Sequence, residues 1–368
     1  MEILTPPPLK HGDRVAIISP AGIIKPQLVY STLPVLTDLG WVAYVGENSG
    51  ASRLIFHLNR LNSLFEIMEI LTPPPLKHGD RVAIISPAGI IKPQLVYSTL
   101  PVLTDLGWVA YVGENTFARH GTYAGTDDQR YSDLETALTD PDTRAIICSR
   151  GGYGAVHLLD RLNRLPLRDD PKWIVGYSDI SALHALMSAH GIKSIHAPMT
   201  KHIAEHNGTD EDSRRLFSLL RGETPDIHVS PFSKNRHGSA EGILLGGNLA
   251  VIAGLISTPF DVCRPGSILF IEDVSEPIYK VERILYTLKL NGTLGKLAGL
   301  IVGRFTNYVG DRDNDTMEDM IQNMIAEYDY PVVYNVPIGH VDHNIPMLCS
   351  STVSLNVTPS GATIHTLS

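Results

Sequence analysis

Trp173-Ile174-Val175-Gly176-Tyr177-Ser178-Asp179-Ile180-Ser181-Ala182-Leu183 holds a strand, a tight turn and the start of a helix in one short stretch. The apolar run ends at Gly176, and apolar residues then recur at Ile180, Leu183 and Met187 before Gly191. That spacing is a helix face closed by a glycine. A serine on such a turn lifts its hydroxyl above the sheet, and the helix amino end beside it offers backbone N–H groups to a developing oxyanion. The pattern departs from G-x-S-x-G, because Ile180 stands where the second glycine would be. Helix capping by Ser178 or Asp179 accounts for the same letters.

Upstream lies another apolar strand, Ala145-Ile146-Ile147-Cys148, followed at once by Ser149-Arg150-Gly151-Gly152-Tyr153-Gly154. Glycines at a strand's carboxyl end let backbone approach a ligand and present N–H groups to an anion. The loop lacks both GxGxxG spacing and a phosphate-loop lysine, so nucleotide binding is not the first reading. Further upstream come Arg81-Val82-Ala83-Ile84-Ile85-Ser86, a helix from Pro93 with Pro101 implying a kink or early stop, and Trp108–Val112. Ser194-Ile195-His196 closes the series. Strands without polar gaps, alternating with helices, predict an α/β fold with a Rossmann-like parallel sheet covered on both faces.

Met1–Asn48 recurs letter for letter as Met68–Asn115. Solenoid repeats drift and come in threes or more, so a perfect pair is a duplication and not a repeat architecture. The second copy runs directly into the rest of the sheet, which has one slot for it. Residues 1–67 are therefore set apart as the first copy plus an amphipathic helical connector over 49–67. The nucleophile domain is expected over 68–200, a polar link over 201–240, and a smaller β-rich α/β domain over 241–368.

Composition bounds the function. The chain has 368 residues, 43% of them hydrophobic and 19% charged, which is enough apolar matter for two cores. A net charge of −9 removes the electrostatic drive for nucleic-acid binding. No apolar run is long enough for a membrane span, and the first residues lack a signal peptide's order. Three scattered cysteines without CxxC argue against a disulfide framework or a zinc ribbon. The expectation is a cytoplasmic protein.

In the second half, Leu269-Phe270-Ile271-Glu272-Asp273 ends an apolar strand on a carboxylate that needs a partner. Asp273 and Glu276 are expected near the positive end of the helix that follows. Asn335-Val336-Pro337-Ile338-Gly339-His340-Val341-Asp342-His343 places His340 in a loop after a strand. His340 and His343 lack a third metal ligand at recognised spacing, so no metal is expected. Ser178, Glu272 and His340 together supply a hydroxyl, an imidazole base and a carboxylate to orient it.

Arg150-Gly151-Gly152-Tyr153-Gly154, Gly176-Tyr177-Ser178-Asp179, Leu245-Gly246-Gly247-Asn248-Leu249, Phe270-Ile271-Glu272-Asp273 and Pro337-Ile338-Gly339-His340 resemble, in order, the motifs of the LD-carboxypeptidase family. That family includes the murein tetrapeptide carboxypeptidases and the microcin C self-immunity peptidases. The resemblance covers residues 68–368. It implies a serine peptidase with Ser178 as nucleophile, His340 as base and Glu272 as orienting acid. It further implies oxyanion donors at the backbone N–H groups of Asp179 and Gly152. Substrate contacts are expected at Gly151, Tyr177, Asn248 and Arg304, the last as partner of a peptide carboxylate. The implied reaction cuts the L,D-peptide bond before a terminal D-alanine in murein recycling, without cofactor. Expected partners are a murein-derived peptide and a second copy of the chain. The duplicated terminus is foreign to the family, and Ala197 stands where many relatives carry glycine. Two other readings are a peptidase acting on peptidyl or aminoacyl nucleotides, and a non-catalytic two-lobed peptide-binding protein.

Overall fold

A computed structural model describes residues 14–17, 42–45, 69–310 and 316–367. The chain divides into two units, Met1–Glu69 and Ile70–Ser368. In the first, β1 (Arg14–Ile17) and β2 (Val42–Val45) pair in parallel, Arg14 opposite Val42. The connector helix expected over 49–67 lies outside the described residues.

The second unit holds two sheets. Its first strands are β3 (Arg81–Ile85), β4 (Val109–Val112), β5 (Thr143–Cys148), β6 (Trp173–Gly176) and β7 (Ser194–His196). The second copy of the duplicated sequence thus supplies β3 and β4, in the same register that pairs β1 with β2. Between the strands run α1 (Pro93–Asp105), α2 (Asp127–Thr139) and α3 (Ser181–Ala189). Helix α1 continues through Pro101 instead of stopping there. Pro101 is on the exposed side of the helix, where water can satisfy the carbonyl it frees one turn earlier. Helix α2 begins at a capping box, Thr126 and Gln129 each bonding the other's backbone N–H.

The residues expected to form a link, 201–240, are largely structured. They contain most of α4 (Thr200–Glu205), all of α5 (Glu211–Leu220) and β8 (Ile227–Val229). There follow β9 (Gly238–Asn248), α6 (Leu249–Ala253), β10 (Ile268–Val274), α7 (Ile278–Leu290) and β11 (Gly299–Thr306). The chain ends with β12 (Val332–Val333), β13 (Met347–Cys349), β14 (Thr352–Thr358) and β15 (Gly361–Thr366).

One sheet has the order β13-β7-β6-β5-β3-β4, and all its pairs are parallel except β13 with β7. The other runs β12-β11-β10-β9-β14-β15-β8, parallel from β12 to β9 and antiparallel beyond. In the first sheet β3 is flanked by β4 and β5, so the connections leave in opposite directions from that point. Such a switch opens a crevice at the strands' carboxyl ends, where open α/β sheets bind ligands.

Helix α3 joins the two sheets. Its residues from Ser181 to Ser188 are all buried, as expected of a helix covered on every side. Ile180, Leu183 and Leu186 belong to one apolar cluster with Leu249, Ile252, Leu269 and Leu285 of the second sheet and its helices. Each fully buried aliphatic side chain contributes about 1.5–3 kcal/mol, so the junction is a packed core. The strands that carry the candidate residues are thereby held in a fixed relation.

Deleting residues 1–67 is expected to leave a folded protein with a cooperative thermal melt, because Ile70–Ser368 contains both sheets and their cores. Circular dichroism of the truncated protein checks this. Insoluble or non-cooperative product would show that the second unit depends on the first.

Candidate active site

Strand β6 ends at Gly176, and two residues later Ser178 takes a left-handed backbone, φ +66°. A non-glycine residue held there stores on the order of 1–3 kcal/mol of strain, a feature that clusters at functional turns. The chain then makes a short 3₁₀ turn, Ser178–Ile180, into α3. Ser178 does not cap that helix: its Oγ lies 3.1 Å from His340 Nε2. Asp179 is engaged elsewhere too, its Oδ2 accepting the Ala155 N–H at 2.9 Å. Burial pushes the Asp179 carboxyl up, against the pull of that hydrogen bond and of Arg130.

His340 sits in the loop after Gly339. Its Nδ1 lies 2.9 Å from Glu272 Oε2, which makes one hydrogen-bonded chain from hydroxyl through imidazole to carboxylate. With Nδ1–H donating to the carboxylate, Nε2 is left to accept the serine proton. Glu272 lies near the carboxyl end of β10, two residues before Val274, and is 0% exposed. Burial alone raises its carboxyl, but His196 and His340 beside it outweigh burial and hold it down at about 2.

Two glycines make this closeness possible. A Cβ on Gly151 would stand 2.6 Å from Ser178 Cβ and 2.8 Å from its Oγ. A Cβ on Gly339, whose φ is +108°, would stand 2.3 Å from Glu272 Oε2. The loops have polar fasteners as well. Arg130, 1% exposed, donates from Nη1 to Pro87 O at 2.7 Å and Gly154 O at 2.8 Å, tying the loop after β3 to the loop after β5. Asp212 of α5 accepts the Asn344 N–H at 2.8 Å and lies 2.8 Å from His343 Nδ1. Asn344 Oδ1 accepts the Gly339 N–H at 2.8 Å, so the His340 loop is fastened across to the first half.

A cavity of about 1010 Å³ opens over Ser178 and His340, with Gly151, Gly152 and Tyr177 also in its wall. It lies at the switch point of the first sheet and carries four cations, Lys92, Arg119, Arg150 and Lys201, with two carboxylates, Glu205 and Asp342. The Tyr177 ring packs edge-on against His340, centroids 5.1 Å apart. Burial, then the Glu272 charge, raises the Tyr177 hydroxyl.

Three residues singled out in the sequence have their side chains engaged with other partners in this structure. Arg304 is absent from the cavity wall, because its guanidinium is bonded to Asn335 Oδ1. Asn248 is 5% exposed and committed at both ends: Oδ1 caps α6 at Val251 N, and Nδ2 donates to Asp273 Oδ1 at 2.9 Å. Asp273 bonds Asn248 and the Ala250 N–H, and burial pushes it up to about 6. Sequence reading missed Arg130, His196 and Asp212. Only His196 stood in a stretch already noticed, beside Ala197. His343, weighed as a metal ligand, pairs with Asp212.

A hydroxyl on a strained strand-to-helix turn, an imidazole against it and a buried carboxylate behind are the arrangement of a serine hydrolase. Residues 82–197 match the N-terminal domain of LD-carboxypeptidases and residues 241–355 the C-terminal domain. The chain belongs to the LD-carboxypeptidase family. It is 33% identical over 274 residues to the murein tetrapeptide carboxypeptidase of Pseudomonas aeruginosa, covering 72% of this chain and 89% of that protein. It is 30% identical to a probable murein peptide carboxypeptidase of Bacillus subtilis, covering 80% and 94%. Among solved structures, the muramoyltetrapeptide carboxypeptidase of Oxalobacter formigenes superposes with a TM-score of 0.72 at 26% identity, over 78% of this chain and 99% of that one. The microcin C7 self-immunity protein MccF shares the fold, with a TM-score of 0.70 at 20% identity over 80% and 98%. Among the described residues no helix is long and apolar enough to cross a membrane.

The depressed Glu272 carboxyl has a pH signature. Because its folded value lies below the ordinary 4.5, its stabilising contribution is present above about pH 4.5 and is lost as pH falls toward 2. Thermal melts across that window should show a smaller loss for Glu272→Gln than for the parent chain. Equal slopes would mean that the carboxyl is not held down.

Proposed function

We propose that this chain is a serine carboxypeptidase that hydrolyses the L,D-peptide bond before a terminal D-alanine of murein tetrapeptide. The observation that carries the reading is the unbroken Ser178–His340–Glu272 hydrogen-bond chain, 3.1 and 2.9 Å, at the edge of the cavity. Family membership supports the reaction class. The names of the Pseudomonas and Bacillus relatives support the substrate.

In this reading Ser178 Oγ attacks the carbonyl carbon of the diaminopimelate residue while its proton passes to His340 Nε2. Glu272 keeps the imidazole in the tautomer that can accept that proton, then balances the imidazolium. The oxyanion of the tetrahedral intermediate is met by the backbone N–H groups of Asp179 and Gly152. Collapse breaks the C–N bond, and His340 returns the proton to the leaving amine of D-alanine. Water, deprotonated by the same imidazole, then releases the acyl group and restores Ser178.

With Arg304 turned to Asn335, the substrate's carboxylates are assigned to the cationic wall. Arg119 and Arg150 suit them best, since a guanidinium can bind a carboxylate in two-point fashion. Cytoplasmic recycling of murein peptides and a homodimeric state belong to the same reading. The three cysteines are free and buried, in keeping with a reducing compartment.

Incubation with murein tetrapeptide, followed by mass spectrometry, should show loss of a single alanine. Ser178→Ala should lower turnover by about 10³-fold or more while binding persists. Unchanged cleavage in that variant would overturn the assignment. Binding without cleavage in the parent chain would favour a peptide-binding protein, and cleavage of an aminoacyl nucleotide alone would favour the immunity-type activity. Arg119→Ala should raise KM roughly tenfold with kcat little changed, as expected for lost ground-state binding. An unaltered KM would remove Arg119 from the carboxylate site.

A further inference from the structure

Behind the candidate carboxylate lies a second imidazole that the reaction as described does not use. His196 ends β7, is 0% exposed, and places Nε2 3.9 Å from Glu272 Oε1. Both ring nitrogens of His196 lack a hydrogen-bond partner, and so does Glu272 Oε1. Leaving a buried polar atom unpaired is costly, and more so for a charged one. Unpaired donor and unpaired acceptor here face each other, and a displacement of about 1 Å brings them to hydrogen-bond distance.

Among the described residues, no other acceptor stands within hydrogen-bond distance of either His196 ring nitrogen. Phe270 packs edge-on to its ring at 5.2 Å and Tyr177 at 6.0 Å. His184 of α3, 6.0 Å away, has its own partners: Nε2–H donates to Gly176 O at 2.8 Å, which leaves Nδ1 to accept from Ser194 Oγ at 2.9 Å. Burial lowers His184 to about 3, so it stays neutral. Cys349 of β13, against the His196 backbone, is pushed up to about 12 by burial and is neutral as well. The ionised group facing His196 is therefore Glu272, with His340 on that carboxylate's other oxygen.

We propose that His196 is a positioning residue: its Nε2–H donates to Glu272 Oε1 and pins the carboxylate so that Oε2 stays on His340 Nδ1. A carboxylate held by one oxygen can turn about its last bond, and two donors on its two oxygens prevent that. The chain of groups becomes Ser178, His340, Glu272, His196, drawn from both sheets. The catalytic use of that chain rests on the serine-carboxypeptidase reading; the pinning itself does not.

The test uses the full-length protein without substrate. The Nδ1–H proton of His340, held against Glu272, should give a low-field, slowly exchanging NMR line. His196→Phe keeps ring volume but removes the donor, and that line should move upfield or vanish. His196→Gln, whose amide N–H falls near Nε2, should restore it. Thermal melts establish that each variant is folded, and His196→Met, apolar and adaptable, replaces the Phe variant if that one does not fold. In turnover of murein tetrapeptide, kcat should fall about tenfold in the Phe variant with KM within twofold, and Gln should recover most of it. A folded Phe or Met variant with the parent's low-field line, or a Gln variant no different from Phe, would overturn the inference. If the parent chain releases no alanine, the functional reading fails while the NMR comparison still decides the pinning.

Discussion

An ionised carboxylate sealed from water must be answered by donors, and Glu272 imposes that demand on the whole molecule. It sits near the carboxyl end of a central strand with no exposed surface, and its charge is kept by imidazoles delivered from different directions. One imidazole, His340, reaches on to the strained hydroxyl of Ser178 in the other sheet. Desolvation would neutralise Glu272 if either the strand or the His340 loop drifted. The two sheets share one packed core through α3.

Much of the rest can be understood as support for that contact. Gly151 and Gly339 are where backbone has to lie against Ser178 and Glu272 without a side chain between. Arg130 fastens the loops at the sheet's switch point, and Asp212 fastens the loop carrying His340. Asn248 and Asp273, polar residues next to the site, form a buried pair that caps α6 and stay out of the cavity. The cavity is faced by the hydroxyl, the imidazole, the Tyr177 ring, four cations and the carboxylates Glu205 and Asp342, so cations outnumber acids in its wall.

Legibility in the sequence followed the range of the interactions. The strand-turn-helix around Ser178 is local, and so are the glycine-rich loop after β5 and the alternation that makes a parallel sheet. Glu272 betrayed itself as a carboxylate ending an apolar strand, and His340 as a histidine behind a glycine. The early stop offered for Pro101 does not occur, because the cost of the proline depends on whether the freed carbonyl sees water, which is a matter of exposure. The partners of Asn248 and Arg304 were not legible, because a polar residue beside a site has several possible partners and only packing chooses among them. The polar stretch 201–240 hid α5 and Asp212, since surface helices resemble connections in composition.

The letters alone determined the α/β class, the exact duplication at the amino end, and which hydroxyl, imidazole and carboxylate are available, because each depends on periodicity, identity or neighbours a few residues away. Tertiary structure alone decided that these three meet, that a second histidine waits behind the carboxylate, and which cations line the cavity. Those contacts join residues far apart in sequence, and their energies come from burial and exclusion of water, which exist only once the two sheets have closed on one core.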